Sequence, residues 1–336
     1  IESLYYPKTP YLFTIIEPGI LGKIYESFLT ESLVLEEGNI ILAHKKEYIY
    51  KSVVSTPVEI VRYMVKKTLE PLCAKKTPKE ILHLNIADIA CGSGIFLEEV
   101  YQYLVDYCTE WYKINKEEYL LTVENGVAKL PFADKKEILK NCIYGVDIDI
   151  HAVEVCKFSL LLKLLENETG PSVEGSKPIL PELEQNIKCG NSLVTYDDME
   201  AWNITPEDFI KTVPFDWQEI NEGKKFDALI GNPPYVKTED IKKLHTKTEI
   251  AIYKKYKSAY KQYDKYYLFM EKALERIKET GLVCYIVPNK FLHTESAEKL
   301  RLMIKENIIR LEDFGAVQLF RDKTIYSAIV TMGKKG

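Results

Sequence analysis

The stretch DIACGSGIFL at residues 88–97 decides the fold of this chain. The apolar run 82–89 leading into it reads as a short strand ending in Asp88, and an apolar-periodic segment from about Gly94 to Val105 reads as a helix. Gly92 and Gly94 make the turn between them. Glycines let a backbone approach a ligand closely, and a helix N-terminus favours negative charge. The dinucleotide fingerprint G-x-G-x-x-G is incomplete, because Leu97 stands where its third glycine would be. Alone, the loop is a weak sign of a nucleoside site.

Downstream the strand-then-helix unit recurs. Strands are expected at 142–148, 188–193, 226–230 and 281–288, with later candidates at 311–314 and 327–332; helices are expected over about 151–165 and 264–279. This alternation predicts an α/β, doubly wound, mostly parallel sheet, and such sheets bind ligands at the carboxyl ends of their strands. Upstream, Ser55-Thr56-Pro57 reads as a helix start, with Ser or Thr as cap and Pro57 at the first helical position. Ile60, Val61, Met64, Val65 and Leu69 give that helix an apolar face to about residue 70. Residues 1–54 read as an N-terminal helical lead-in and 55–336 as one catalytic domain, with insertions over about 106–140 and 166–184.

Composition narrows the function. Hydrophobic residues make up 46% and charged residues 28%, as in ordinary globular domains. No apolar run approaches the ~20 residues of a membrane span, and no basic-then-apolar segment suggests a signal peptide. Seven scattered cysteines form no C-x-x-C pair, and the five histidines lack ligand spacing, so no metal site is expected and a reducing cytoplasm fits. The chain begins with Ile1, which leads us to expect a piece of a longer protein. Net charge is −5, yet residues 236–265 hold nine lysines against four acids. This basic strip reads equally well as a phosphate-binding surface or as a solvated face.

Three further strings fall at strand ends. In YGVDID (144–149), Asp147 can accept hydrogen bonds from ribose hydroxyls and Ile148 can pack on an adenine face, although a solvated loop acid explains Asp147 alone. In CGNSLV (189–194), Asn191 can read an adenine amine, and Phe269 can add an apolar wall unless it is ordinary helix core. GNPPYV (231–236) is the most specific. The N6 lone pair of adenine is delocalised into its ring and is a poor nucleophile. Two acceptors aimed at its two protons draw the nitrogen toward sp³ geometry and free that pair. The Asn232 side-chain oxygen and the Pro233 carbonyl can be those acceptors. Pro233 and Pro234 fix φ at consecutive positions, and Tyr235 can stack on an extruded base. Phe320 is the candidate for the second aromatic face, with a core role equally open. Tyrosines 253, 256, 260, 263 and 267 recur at helical spacing and suggest a buried stripe with lysines 254, 257 and 261 outward. Asp216, Glu222 and Lys224 mimic a nuclease pattern and read as coincidence.

With these residues together, the chain resembles the gamma group of N6-adenine DNA methyltransferases. It is most similar to the methylase domain of large single-chain, type IIG-like restriction–modification enzymes and related phage-defence methylases. DIACGSGIFL, YGVDID, GNSL, GNPPYV, YDKYYLFMEKAL, GLVCYIVPNKFL and LFRDKTIYSAIV follow in the family's order, and the resemblance runs from about residue 20 to 332. It implies the class I S-adenosylmethionine-dependent methyltransferase fold, with seven strands of which one is antiparallel. It implies S-adenosylmethionine as cofactor. Thr56 and Asp88 would lie by the methionine moiety, with Ala90, Gly92 and Gly94 in the loop; Asp147 would bind ribose. Ile148, Asn191, Ser192 and Phe269 would lie around the cofactor's adenine, and Asn232 to Tyr235 with Phe320 would hold the target base. Double-stranded DNA is the implied partner, with a target recognition domain or specificity subunit outside this chain. The family's G-x-Y-Y-T-P is reduced here to a bare Thr56-Pro57, and Asn191 stands where Asp is frequent. Two other readings use related features: methylation of a protein glutamine or an RNA base by the same N-P-P-Y site, and a non-catalytic cofactor-binding DNA subunit.

Overall fold

The computed structural model describes residues 31–36, 39–44, 56–122, 128–173, 175, 177–200, 204–320 and 325–334. Its centre is one seven-stranded sheet. In chain order the strands are β1 (Ile86–Asp88), β2 (Ile143–Asp147), β3 (Ile187–Cys189), β4 (Phe226–Gly231), β5 (Ile277–Pro288), β6 (Ile308–Gln318) and β7 (Tyr326–Gly333). They lie in the order β6-β7-β5-β4-β1-β2-β3, with β7 antiparallel to both neighbours and the other pairs parallel. This is the class I methyltransferase sheet that the resemblance implied, its reversed strand included. The order turns back on itself between β1 and β4. The ends of those two strands, where Asp88 and Gly231 stand, therefore flank the crevice in which such sheets bind ligands.

Helices named below are α1 (Val58–Cys73), α2 (Ile95–Asn115), α3 (Phe132–Cys142), α4 (Ile150–Leu165), α5 (Thr238–Leu244), α6 (Lys247–Tyr253), α7 (Lys265–Arg276) and α8 (Glu298–Ile304). Successive strand residues point to opposite faces. Ile86, Ala228, Ile230, Cys284 and Ile286 accordingly join the buried cluster formed with α1 to α4. Ala87, Leu229, Val283, Tyr285 and Val287 join the cluster formed with α5 to α8. Cover on both faces explains why the central strands read as nearly unbroken apolar runs. The outer strand β6 instead alternates between exposed and half-buried positions.

Some expectations need correction. Of the proposed helical lead-in, residues Glu31–Glu36 and Asn39–His44 are described, and they pair as an antiparallel hairpin. The β-branched residues Val34, Ile40 and Ile41 suit a strand; the rest of 1–54, with Ser55, lies outside the described residues. At α1 it is Pro57 that takes the N-cap position, without a side-chain cap, because the Thr56 hydroxyl is used elsewhere. The tyrosines from 253 to 267 do not share one helix: α6 ends at Tyr253, and Lys261 sits at φ 52° in the irregular link to α7. Tyr253, Tyr263 and Tyr267 are nonetheless buried, while Lys254, Lys257 and Lys261 are exposed as expected. The two insertions pack together through Glu168, which accepts from Lys129 at 2.5 Å and Lys135 at 2.7 Å.

Candidate active site

The loop after β1 is held from both sides. Ala90 N–H donates to Asp88 Oδ1 at 3.0 Å, Cys91 N–H to the Val146 carbonyl at 3.1 Å, and Gly92 N–H to Asp147 Oδ2 at 2.8 Å. Gly92 has φ 53°, and a Cβ added there meets no protein atom within 4 Å. The loop thus turns a bare backbone toward open space. Gly94 caps α2 in the left-handed region, where a Cβ would lie 2.6 Å from Cys156 Sγ. Burial pushes the Asp88 carboxyl up to about 7, with the Asp147 charge adding to the effect. Burial also raises Asp147, against the N–H groups of Asp149 and Gly92 that stabilise its charged form. Beside Asp147, Ile148 leaves 38% of its surface exposed at the strand end, as an apolar platform for a nucleobase needs. Gly-loop, acid and apolar platform fit an adenosyl cofactor.

The turn after β4 meets this loop directly. A Cβ at Gly231 would lie 2.5 Å from Asp88 Oδ1, so only glycine lets the two strand ends approach so closely. The next residue, Asn232, donates from Nδ2 to Thr56 Oγ1 at 3.0 Å. That bond fixes which arm of the amide faces Thr56 and turns Oδ1 the other way. Pro233 is buried and Pro234 half-buried. Tyr235 is held by its hydroxyl, which donates to the Ile286 carbonyl at 2.9 Å, and by an edge-on contact with Tyr266.

The third strand end is more enclosed than its sequence suggests. Asn191 is 3% exposed; its Nδ2 donates to the Thr212 carbonyl and Glu249 Oε1, both at 3.2 Å, and its Oδ1 accepts from Leu193 N–H at 3.1 Å. The Ser192 hydroxyl donates to the Ile89 carbonyl at 2.6 Å, tying this loop to the one after β1. Phe269 is buried in the α7 side of the core.

Phe320 is buried in the cluster with α1 and α2, whereas Tyr235 belongs to the cluster on the other face. Phe320 is 2% and Tyr235 7% exposed, so stacking of a base on either ring requires that ring to be uncovered. Eight of the nine lysines in the basic strip are exposed, and Lys265 is buried. Of the nuclease look-alike, Asp216 accepts from Gln218 N–H, and Glu222 pairs with Lys224 at the surface. Among the described residues no group of three potential ligands could hold a metal, and no helix is long and apolar enough to cross a membrane. Behind Asn191, half-buried His245 and buried Glu249, Tyr253 and Lys265 form a polar network; the sequence reading has Tyr253 as core and Lys265 as part of the basic strip, and misses the network itself. One signal was available, the capping box Thr246-x-x-Glu249.

Comparison with known proteins bears on this arrangement. Residues 141–320 match the family described as Eco57I restriction-modification methylase. The chain is 42% identical over its whole length to the type II restriction enzyme and methyltransferase RM.Eco57I of Escherichia coli, covering 33% of that protein. It is 26% identical over 76% of its length to the type II methyltransferase M.BstVI of Geobacillus stearothermophilus, covering 38% of it. The chain thus spans about a third of the first relative and under two-fifths of the second. In fold it is similar to the DrdV–DNA complex, with a TM-score of 0.62 at 16% identity over 97% of this chain and 30% of that one. A nuclease-deletion mutant of the Type ISP restriction-modification enzyme LlaGI, in complex with a DNA substrate mimic, matches with a TM-score of 0.57 at 16% identity, over 84% of this chain and 23% of that one.

Proposed function

This chain belongs to the Eco57I restriction-modification methylase family, and on that premise we propose that it transfers a methyl group from S-adenosylmethionine to the N6 amine of an adenine flipped out of duplex DNA. One observation carries the reading: the Gly loop and the Asn-Pro-Pro-Tyr turn meet at the switch point of the sheet, with the Asp88 carboxylate against Gly231. A cofactor subsite and a target-base subsite would then share one crevice.

Asp147 and Ile148 would hold ribose and adenine of the cofactor, the Gly92 region its backbone-facing side, and Asp88 its cationic methionine end. When bound, that cofactor supplies a sulfonium methyl as electrophile. The chain itself supplies no nucleophile. Asn232 Oδ1 and the Pro233 carbonyl accept the two N6 protons of the target base, which localises the nitrogen lone pair for attack. The two prolines keep the carbonyl from turning away. The Tyr235 ring, fixed through Ile286, stacks on the extruded base and offsets the few kcal/mol of unstacking. After transfer the amine carries one proton too many, and the Asn232 and Pro233 oxygens guide it to solvent. The exposed lysines of 237–261 supply phosphate contacts. Residues outside this chain would choose the DNA sequence, as a target recognition domain or a specificity subunit.

The test uses the full-length protein and unmethylated duplex DNA with labelled cofactor. Asn232→Ala is expected to lower transfer by about 100-fold or more, the scale of losing one positioned transition-state hydrogen bond, with cofactor affinity retained. Asp147→Ala is expected to weaken cofactor affinity instead. Transfer to release-factor glutamine but not to DNA adenine would reject the reading.

A further inference from the structure

We infer that Glu249 is a positioning residue for the cofactor's nucleoside subsite, setting which way round the Asn191 amide stands; the inference rests on the cofactor reading given above. Glu249 is 2% exposed on α6. Its Oε2 accepts from Thr246 N–H at 3.0 Å. Its Oε1 accepts from Asn191 Nδ2 at 3.2 Å and from the Tyr253 hydroxyl at 3.1 Å, and His245 Nδ1 lies 3.0 Å away. The other imidazole nitrogen, Nε2, is 3.5 Å from Lys265 Nζ. Whether neutral or charged, a ring that carries a proton on Nδ1 donates it to Glu249. Burial pushes the Glu249 carboxyl up, but His245, Lys265 and the Thr246 N–H outweigh it and hold the group below the usual carboxylate range.

An ionised carboxylate accepts and never donates. Facing it, the Asn191 amide presents its NH₂, and the Thr212 carbonyl asks for the same orientation. Oδ1 is thereby turned to the loop side, where it takes Leu193 N–H and keeps a second lone pair. An acceptor is what an adenine amine requires; a flipped amide would set donor against donor. The same geometry explains the residue type. An Asp at position 191, frequent in the resembled family, would stand about 3.2 Å from Glu249, and two carboxylates that close cannot both stay ionised. Asn191 and Glu249 therefore act as one device, assembled from β3 and a helix that follows the Asn-Pro-Pro-Tyr turn.

A double-mutant cycle on the full-length protein tests this. S-adenosylhomocysteine affinity is measured by calorimetry for wild type, Asn191→Asp, Glu249→Gln and the double variant, with thermal melts alongside. Asn191→Asp is expected to weaken binding by roughly 10-fold or more through the buried like-charge contact. Glu249→Gln alone costs less than about 5-fold, because a glutamine still accepts from Asn191. The double variant returns to within about 5-fold of wild type, since the amide introduced by Glu249→Gln donates to the carboxylate introduced by Asn191→Asp. If Asn191→Asp does not fold, recovery of a folded, binding protein in the double variant supports the inference equally. Additive losses, or a double variant no better than Asn191→Asp, overturn it. S-inosylhomocysteine, with oxygen in place of the amine, is expected to bind wild type at least about 10-fold more weakly, a preference that a merely structural Glu249 would leave intact in Glu249→Ala and that this inference expects to shrink. Wild type that binds no S-adenosylhomocysteine overturns the cofactor reading itself; binding with additive losses overturns this inference alone.

Discussion

Thr56→Val removes one oxygen from a buried side chain and changes little else. That oxygen accepts from Asn232 Nδ2 at 3.0 Å. A carboxamide has two orientations related by a half-turn, and on the proposed reading only one of them offers Oδ1 to the target amine. The bond to Thr56 favours that orientation by about 0.5–1.5 kcal/mol net, and an amide hydrogen left unsatisfied in a buried place costs about 1–3 kcal/mol. A bias near 1.4 kcal/mol is a factor of about ten. Single-turnover methyl transfer at saturating cofactor is therefore expected to fall roughly 10-fold in the Thr56→Val protein. Its affinity for S-adenosylhomocysteine should change less than about 2-fold if Thr56 acts through Asn232 alone. Thr56→Ser keeps the oxygen and should behave as wild type. The assay follows labelled methyl entering unmethylated duplex DNA, with calorimetry for affinity. Wild-type turnover in Thr56→Val would refute the orienting role. A fall matched by an equal loss of affinity would move Thr56 into the methionine subsite, where the family resemblance had put it.

Other predictions concern the loop after β1. Asp88 is raised on folding to about 7, so its burial costs stability at pH 8 and costs progressively less as pH falls from about 7 toward its unfolded value; Asp88→Asn is expected to raise the melting temperature of cofactor-free protein at pH 8, with a smaller gain at pH 5.5, and a gain independent of pH would contradict the assignment. A cationic ligand beside Asp88 favours its charged form, so cofactor binding at pH 7 should release protons, read as a buffer-dependent calorimetric heat that Asp88→Asn diminishes. Gly94→Ala combines left-handed strain of about 1–2 kcal/mol with an overpacking cost of about 1–3 kcal/mol against Cys156, which for a chain of this size lowers the melting point by about 3–7 °C. Adding Cys156→Ala should recover the steric share only, and full recovery would show that the backbone angle carries no strain.

Local physics made much of this protein legible before any coordinates. DIACGSGIFL, YGVDID and GNPPYV each end an apolar run with a Gly, Asp or Pro that breaks it, so strand ends and the residues on them could be placed from neighbours along the chain. Alternation of strands and helices then pointed to a doubly wound parallel sheet. Less was legible where periodicity misled. The tyrosine spacing from 253 to 267 is helical in register, yet the backbone breaks after Tyr253, because burial of those rings is satisfied by turns as well as by a helix. Lys265 sits in a run of exposed lysines and is drawn inside by His245 and the Tyr253 ring.

The sequence by itself determined which residues stand at the carboxyl ends of the strands, since that depends on interactions a few residues apart. Only the tertiary structure decided who faces whom: Thr56 against Asn232, 176 residues away, and Glu249 behind Asn191, 58 residues away. Those pairings follow from the order in which strands lie in the sheet, and strand order is set by burial of both faces at once, a property of the whole chain that no local window contains.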